Sequence, residues 1–373
     1  MNSLPDIDPY DVIIKKMEEY PTGIPMINGK VSEHFKKYIK LLFTPEEAQI
    51  AQVLEIRPLP TKEIARRLGK SEEETKIILD NMANKGIIHD IFGYSYFLIM
   101  AHLLNMPFKL SNESSLSIRE DAAKLHKQFF INEKFYKRYE SSDKGTPLFR
   151  VIPINISLEH KTEIINAEEI HRIFDSVTEP ITITDCPCRQ RTEILGNREC
   201  KDKFPIEESC FQIGLFGDYF IRRGEGRKVS REEAHQIVDK FAELGLVFTT
   251  DNTKQPNHMV ICCCCNCCCS LLRGITRFSE INENGVAKSN YIAKTNDEIC
   301  IGCGLCLERC PFGAITIEND KSSVDPKKCY GCGVCAVTCP TEAIKLYRTD
   351  RSEIFENTLE LMGKIYSENR VKK

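Results

Sequence analysis

The chain reads as a multidomain α+β protein, with a helical, winged-helix-like N-terminal part, an α+β cysteine-rich middle domain and a compact C-terminal domain built on a repeated motif. Three observations predict this. All nineteen cysteines fall between Cys186 and Cys339. The last eight spell C-x-x-C-x-x-C-x-x-x-C-P twice, from Cys300 to Pro311 and from Cys329 to Pro340. The cysteine-free first half carries helix caps and a hairpin signal between 44 and 97 in the order helix, helix, helix, hairpin. With 373 residues, 42% of them hydrophobic, the chain is long enough for several cores.

The repeated motif suits iron and sulfide. Cysteines at every third position of a loop turn three thiolates toward one cubane, and a more distant cysteine completes the site. Gly302, Gly304, Gly331 and Gly333 stand in register between the cysteines, where they let backbone amides approach the sulfides. Apolar stretches Ala314–Ile317 and Ala343–Leu346 follow each proline as expected strands. Structural zinc is the competing reading, but it leaves two matched copies with matched glycines unexplained.

Residues 291–347 resemble the bacterial-type two-cluster ferredoxins. In that family the fourth cysteine of each motif serves the other cluster. The resemblance therefore implies one 4Fe-4S cluster on Cys300, Cys303, Cys306 and Cys339, and another on Cys329, Cys332, Cys335 and Cys310. The whole chain also resembles multidomain ferredoxin-domain proteins of anaerobes, in which a Cys-x-Cys-Arg segment and a cysteine-dense run precede the two-cluster module. In such relatives asparagine is usual where Cys263 stands, which makes Cys263 the least secure ligand.

Within the first half, Thr44-Pro45-Glu46-Glu47 and Ser71-Glu72-Glu73-Glu74 are capping boxes, and Thr61 opens a helix between them. The helix after Ser71 turns Ile77, Ile78, Leu79 and Met82 inward, and Ile87–Leu98 forms a wing around Gly93. This third helix carries Glu72, Glu73, Glu74 and Asp80 against Lys76 and Lys85, so it repels phosphates, and a protein-contact role is favoured over DNA binding. The aromatic stripe Phe129, Phe130, Phe135, Tyr136 and Tyr139 packs against a neighbouring domain. Expected divisions are a helical segment at 1–43, the winged-helix-like domain at 44–110, a helical connector and linker at 111–145, the middle domain at 146–290, the two-cluster domain at 291–347 and a C-terminal helix at 348–373.

Eleven cysteines remain. Cys186, Cys188, Cys200 and Cys210 are dispersed, and seven more crowd into 262–269, interrupted only by Asn266. Any regular conformation splits such a run between at least two directions, so it cannot be one site. The expected additional centre, a 4Fe-4S cluster or zinc, draws on Cys186, Cys188, Cys200, Cys210, Cys264, Cys265, Cys267 and Cys268, with Arg189 beside it to offset thiolate charge or dock a partner. His235 and His258 are left out as ligands. Neither Gly214–Gly217 nor Arg222–Gly226 matches a phosphate loop or dinucleotide fingerprint, so no flavin or nicotinamide site is expected.

A net charge of −3 gives no pull toward nucleic acid or anionic membrane. Residues 91–108, although uncharged, read as a buried strand and helix rather than a membrane span, and the start lacks the apolar core of a secretory signal. Unpaired cysteines suit a reducing cytoplasm. The expected function is electron transfer to a redox protein partner or oxidoreductase complex, docked through the winged-helix-like part or the tail 354–366, rather than a stand-alone enzyme. A reductase with its centre in the middle domain and a redox-sensing regulator are the alternatives.

Overall fold

The computed structural model describes residues 8–109, 116–154 and 168–370, and it mixes helix and sheet throughout. Its centre is a seven-stranded sheet in the order Val286–Ala287, Phe149–Ile152, Val247–Asp251, Val260–Cys264, Cys210–Ile213, Ile181–Thr184, Arg227–Val229. All neighbours are antiparallel except the first pair. The cysteine-rich strand Val260–Cys264 thus lies in the middle, hydrogen-bonded on both sides.

Helix Arg231–Leu244 is capped by Ser230, whose hydroxyl accepts from the Glu233 amide, and it buries Ala234, Val238 and Phe241 against this sheet. Helix Leu215–Arg222 packs on Ile181–Thr184 and Cys210–Ile213 so closely that a side chain at Gly217 would lie 2.8 Å from the carbonyls of Gln212 and Pro180. A side chain at Gly226 would be equally crowded, 2.8 Å from the Ile183 carbonyl, whereas Gly214 and Gly224 supply positive φ.

In the first half, helices Pro45–Ala51, Thr61–Leu68 and Glu72–Asn84 accompany a three-stranded sheet in the order Leu59–Pro60, Ser95–Phe97, His89–Ile91, whose first strand lies between the first two helices. Thr44 forms a complete capping box with Glu47, whereas Ser71 accepts only from the Glu74 amide. Thr61 is no cap; its hydroxyl donates to the Tyr94 carbonyl and ties the helix to the hairpin. Ile77 is 59% exposed, so the inward face of the third helix is carried by Leu79, Met82 and Ala83.

That third helix is not free. Arg223 reaches Asp80 at 2.9 Å and Asp90 at 2.6 Å, and the Tyr219 hydroxyl donates to the Ala83 carbonyl at 2.7 Å. Tyr219, Phe220 and Phe278 belong to the core of the N-terminal half. The aromatic stripe joins the same core, with Tyr136 packed 4.7 Å from Phe278. Segment 141–145 is tied down as well: Ser142 is buried and bonded to Glu368 of helix Thr358–Arg370. Leu361 and Ile365 of that helix pack on Leu148 and Phe355, so the apolar face of the tail is used within the chain. No helix among the described residues is long and apolar enough to cross a membrane.

Asp90 is fully buried and balanced by Arg222, Arg223 and the Gly93 amide. Replacing Arg223 by alanine therefore lowers stability by about 3 kcal/mol, read as a fall in the urea midpoint. A second effect depends on pH. Burial, aided by Arg222 and Arg223, holds His89 down to about 3, and burial drives His102 well below the ordinary histidine value. Both are neutral in the fold, and the unfolded chain takes up protons below pH ~6.5. Their contribution is complete above that pH and declines as pH falls, by about 1.4 kcal/mol for His89 at pH 5.5. Urea midpoints at pH 7.5 and 5.5 reveal the decline, and His89→Phe removes its share.

Candidate metal centres

The C-terminal unit is a pseudo-symmetric pair. Strand Tyr291–Thr295 pairs with Ile344–Arg348, Ile315–Glu318 pairs with Lys321–Val324, and short helices Leu305–Arg309 and Val334–Val337 follow the two loops. One small cavity is lined by Cys300, Cys303, Cys306 and Cys339, a second by Cys310, Cys329, Cys332 and Cys335. The fourth cysteine of each motif is thus carried across to the other loop. Cys310 accepts the Ala314 amide at 3.3 Å and Cys339 the Ala343 amide at 3.2 Å, a matched pair of bonds. Gly302 and Gly331 hold left-handed conformations, and a side chain there would fall 2.4 Å from the Asp320 carbonyl and 2.2 Å from that of Tyr291.

The two cavities differ in exposure. Cys303 is exposed, and Ile299, Ile301, Leu305 and Leu307 present apolar surface around the outer loop. In the inner set Cys329, Cys332 and Cys335 are buried and Cys310 is half-buried. Burial pushes the Cys332 thiol up to about 12 and Cys335 well above its ordinary value, so both are protonated unless a cation stands beside them.

Residues 286–346 match the family model of the 4Fe-4S dicluster domain. This is a ferredoxin-type iron–sulfur domain. A 32-residue stretch is 53% identical to an uncharacterised ferredoxin of Methanocaldococcus jannaschii, covering 9% of this chain and 19% of the relative. Two further relatives are the Pixie protein of Drosophila melanogaster, 48% identical over 40 residues, and a translation initiation factor of Chaetomium thermophilum, 56% identical over 34. These cover 11% and 9% of this chain and 6% of each relative. The chain thus spans a fifth or less of the curated relatives it matches. No solved structure matches it.

In the middle of the chain the eleven remaining thiols separate. Cys200, Cys265, Cys267 and Cys268 form a buried tetrad whose sulfurs all lie within 4.8 Å of one another. Cys200 stands 3.9 Å from Cys265 and 3.6 Å from Cys268, and Cys267 stands 3.7 Å from Cys268. Hydrogen bonds from Cys200, Cys267 and Cys268, with Arg189 beside them, hold Cys265 as a thiolate far below the usual thiol range. Arg189 is 1% exposed and donates to the Cys263 carbonyl at 2.9 Å, so it offsets charge and cannot dock a partner.

Cys186, Cys188, Cys210 and Cys264, expected with these, lie apart from them, joined by Cys262 and Cys269. Strand alternation accounts for this: Cys262 and Cys264 share one face of Val260–Cys264, and Cys263 is turned to the other, into the core. Cys262 lies directly opposite Cys210 in the neighbouring strand. The same parity, applied to the sequence, would have grouped Cys262 with Cys264. His258 is buried beside Thr250 and Asp251, and His235 bonds to Asp175, so neither joins a thiol group.

The crowding around Gly331 is testable. Gly331→Ala purified anaerobically is expected to lose about four irons relative to wild type, counted with acid-labile sulfide.

Proposed function

We propose that the protein is an iron–sulfur electron carrier, passing single electrons from an outer 4Fe-4S cluster on Cys300, Cys303, Cys306 and Cys339 to an inner one on Cys310, Cys329, Cys332 and Cys335, and on to a metal centre on Cys200, Cys265, Cys267 and Cys268. One observation carries this reading. Tyr330, Cys332 and Val334 of the inner loop share a hydrophobic core with Cys265, Cys267 and Cys268, and the Asn266 side chain, between two tetrad ligands, donates to the Pro311 carbonyl at 3.0 Å. The inner cluster therefore abuts the tetrad, and the outer one faces solvent.

Two further contacts fix that junction. Arg309, adjacent to Cys310, donates to the carbonyls of Ala242 and Glu243 at the end of helix Arg231–Leu244, both at 2.9 Å. Its Nε donates to the Val334 carbonyl. The exposed apolar residues around the outer loop are read as the face that a redox protein partner covers. The N-terminal helices and hairpin are read as a winged-helix module used for protein contact. The helix that would enter a DNA groove is acidic at its start and held by Arg223 and Tyr219 at its end. Nineteen unpaired cysteines suit the reducing cytoplasm.

A second reading of the tetrad is structural zinc. Metal–sulfur bonds of about 2.3 Å in a tetrahedron place sulfurs about 3.8 Å apart, close to the observed spacings. A zinc tetrad ends the relay at the inner cluster. The deciding experiment compares iron, sulfide and zinc in anaerobic wild type and in Cys200→Ser/Cys265→Ser. Loss of iron in the variant, together with an altered EPR signal after reduction, is the expected result, and loss of zinc alone establishes the structural role. Arg309→Ala, retaining full iron, is expected to slow internal electron transfer measured by rapid-freeze EPR.

A further inference from the structure

Cys186, Cys188, Cys269, Cys264, Cys262 and Cys210 form an unbroken row of sulfurs. Cys188 lies beside both Cys186 and Cys269. Cys269 lies 3.2 Å from Cys264, Cys264 lies beside Cys262, and Cys262 lies 3.9 Å from Cys210. All six line one mostly apolar cavity of about 200 Å³. Of the tetrad only Cys265 borders this space, so the two groups differ in kind. The tetrad is packed tight enough for a single ion, whereas the row faces room for an inorganic core.

Buried cysteines often act merely as small apolar side chains. Here the surrounding charges exclude that. Lys109 is 2% exposed, and its ammonium donates to the Thr184 hydroxyl and the Asp185 carbonyl, both at 2.7 Å. The Asp185 carboxylate is turned instead to the Glu208 amide. Arg191 is 5% exposed and meets the Ser270 hydroxyl, the His126 ring and the face of Phe108. His126 is held neutral by burial. Among the described residues neither cation has a carboxylate at ion-pair distance. Two buried cations without anions are costly unless a negative group lies beside them. Lys109 adjoins Cys210 and Arg191 adjoins Cys188, at the two halves of the row.

We propose that this row is a separate iron–sulfur site, in which Cys186, Cys188, Cys210, Cys262, Cys264 and Cys269 hold a multi-iron cluster in the cavity and Lys109 and Arg191 compensate its negative charge. Six thiolates exceed the four that one zinc ion or one cubane takes, so the row suits a cluster of higher nuclearity or a cubane with spare thiolates. Cys263 also borders the cavity, but strand alternation turns its side chain to the opposite face, so it is not a ligand.

The test uses the full chain, purified anaerobically, with iron, sulfide and zinc counted and native mass measured. Cys188→Ser/Cys262→Ser is expected to lose about four or more irons with matching sulfide, while Cys263→Ser keeps the wild-type content. The tetrad variant Cys200→Ser/Cys267→Ser is expected to retain iron and sulfide beyond the about eight irons of the two ferredoxin clusters. That arm stands even if the row variant does not fold, and the tetrad's own loss tests the earlier reading separately. Unchanged metal in the row variant, loss of zinc in place of iron, or a tetrad variant holding only two cubanes overturns the proposal.

Discussion

The alternation of one β-strand governs the organisation of the middle of this molecule. Val260–Cys264 lies at the centre of the sheet with partners on both edges, so its backbone cannot twist away and its side chains must take opposite faces. Cys262 and Cys264 are committed to one side and Cys263 to the other. The turn after Cys264 then redirects Cys265, Cys267 and Cys268 toward Cys200, and Cys269 returns to the first side. Two thiol groups arise from one run of eight residues because the strand keeps Cys262 and Cys264 on one face and the turn that follows carries Cys265, Cys267 and Cys268 to Cys200.

Charge follows from that partition. A cluster of thiolates inside a protein needs cations or metal, and this chain supplies buried Arg189 at the tetrad and Lys109 and Arg191 at the row. The ferredoxin-type domain is joined to this region by directional bonds as well as by packing. Arg309 completes the carbonyl end of a middle-domain helix, and Asn266 fixes the Pro311 loop. The residue that follows Arg309 is Cys310, so the contact that joins the units lies beside a cluster ligand.

Much of the C-terminal domain was legible in the sequence because its information is local: cysteine spacing, glycines at left-handed positions and prolines that end the loops are all read within twelve residues. The family match agrees with that reading. The middle sites were legible only in part. That the dense run must divide followed from periodicity, but the grouping depends on register, which places Cys210 opposite Cys262, and on a loop that brings Cys200 to the tetrad. Neither is encoded near the cysteines. Likewise the acidic character of helix Glu72–Asn84 argued against DNA, yet its partner Arg223 lies 143 residues beyond Asp80 and could not be foreseen. Ile77 was misplaced because a helix with apolar residues at three consecutive positions does not declare which one faces out.

The cavity beside the thiol row is walled by residues from distant parts of the chain. Tyr20, Ile99 and Phe130 close it from the first half, and Thr358, Leu361 and Met362 from the last described helix. During synthesis on the ribosome, Cys269 precedes Thr358 by 89 residues, and the last strand of the sheet, ending at Ala287, precedes it by 71. For a cluster held as proposed, the row is accessible throughout that interval, and the C-terminal helix adds the last part of the cavity wall when Leu361 docks.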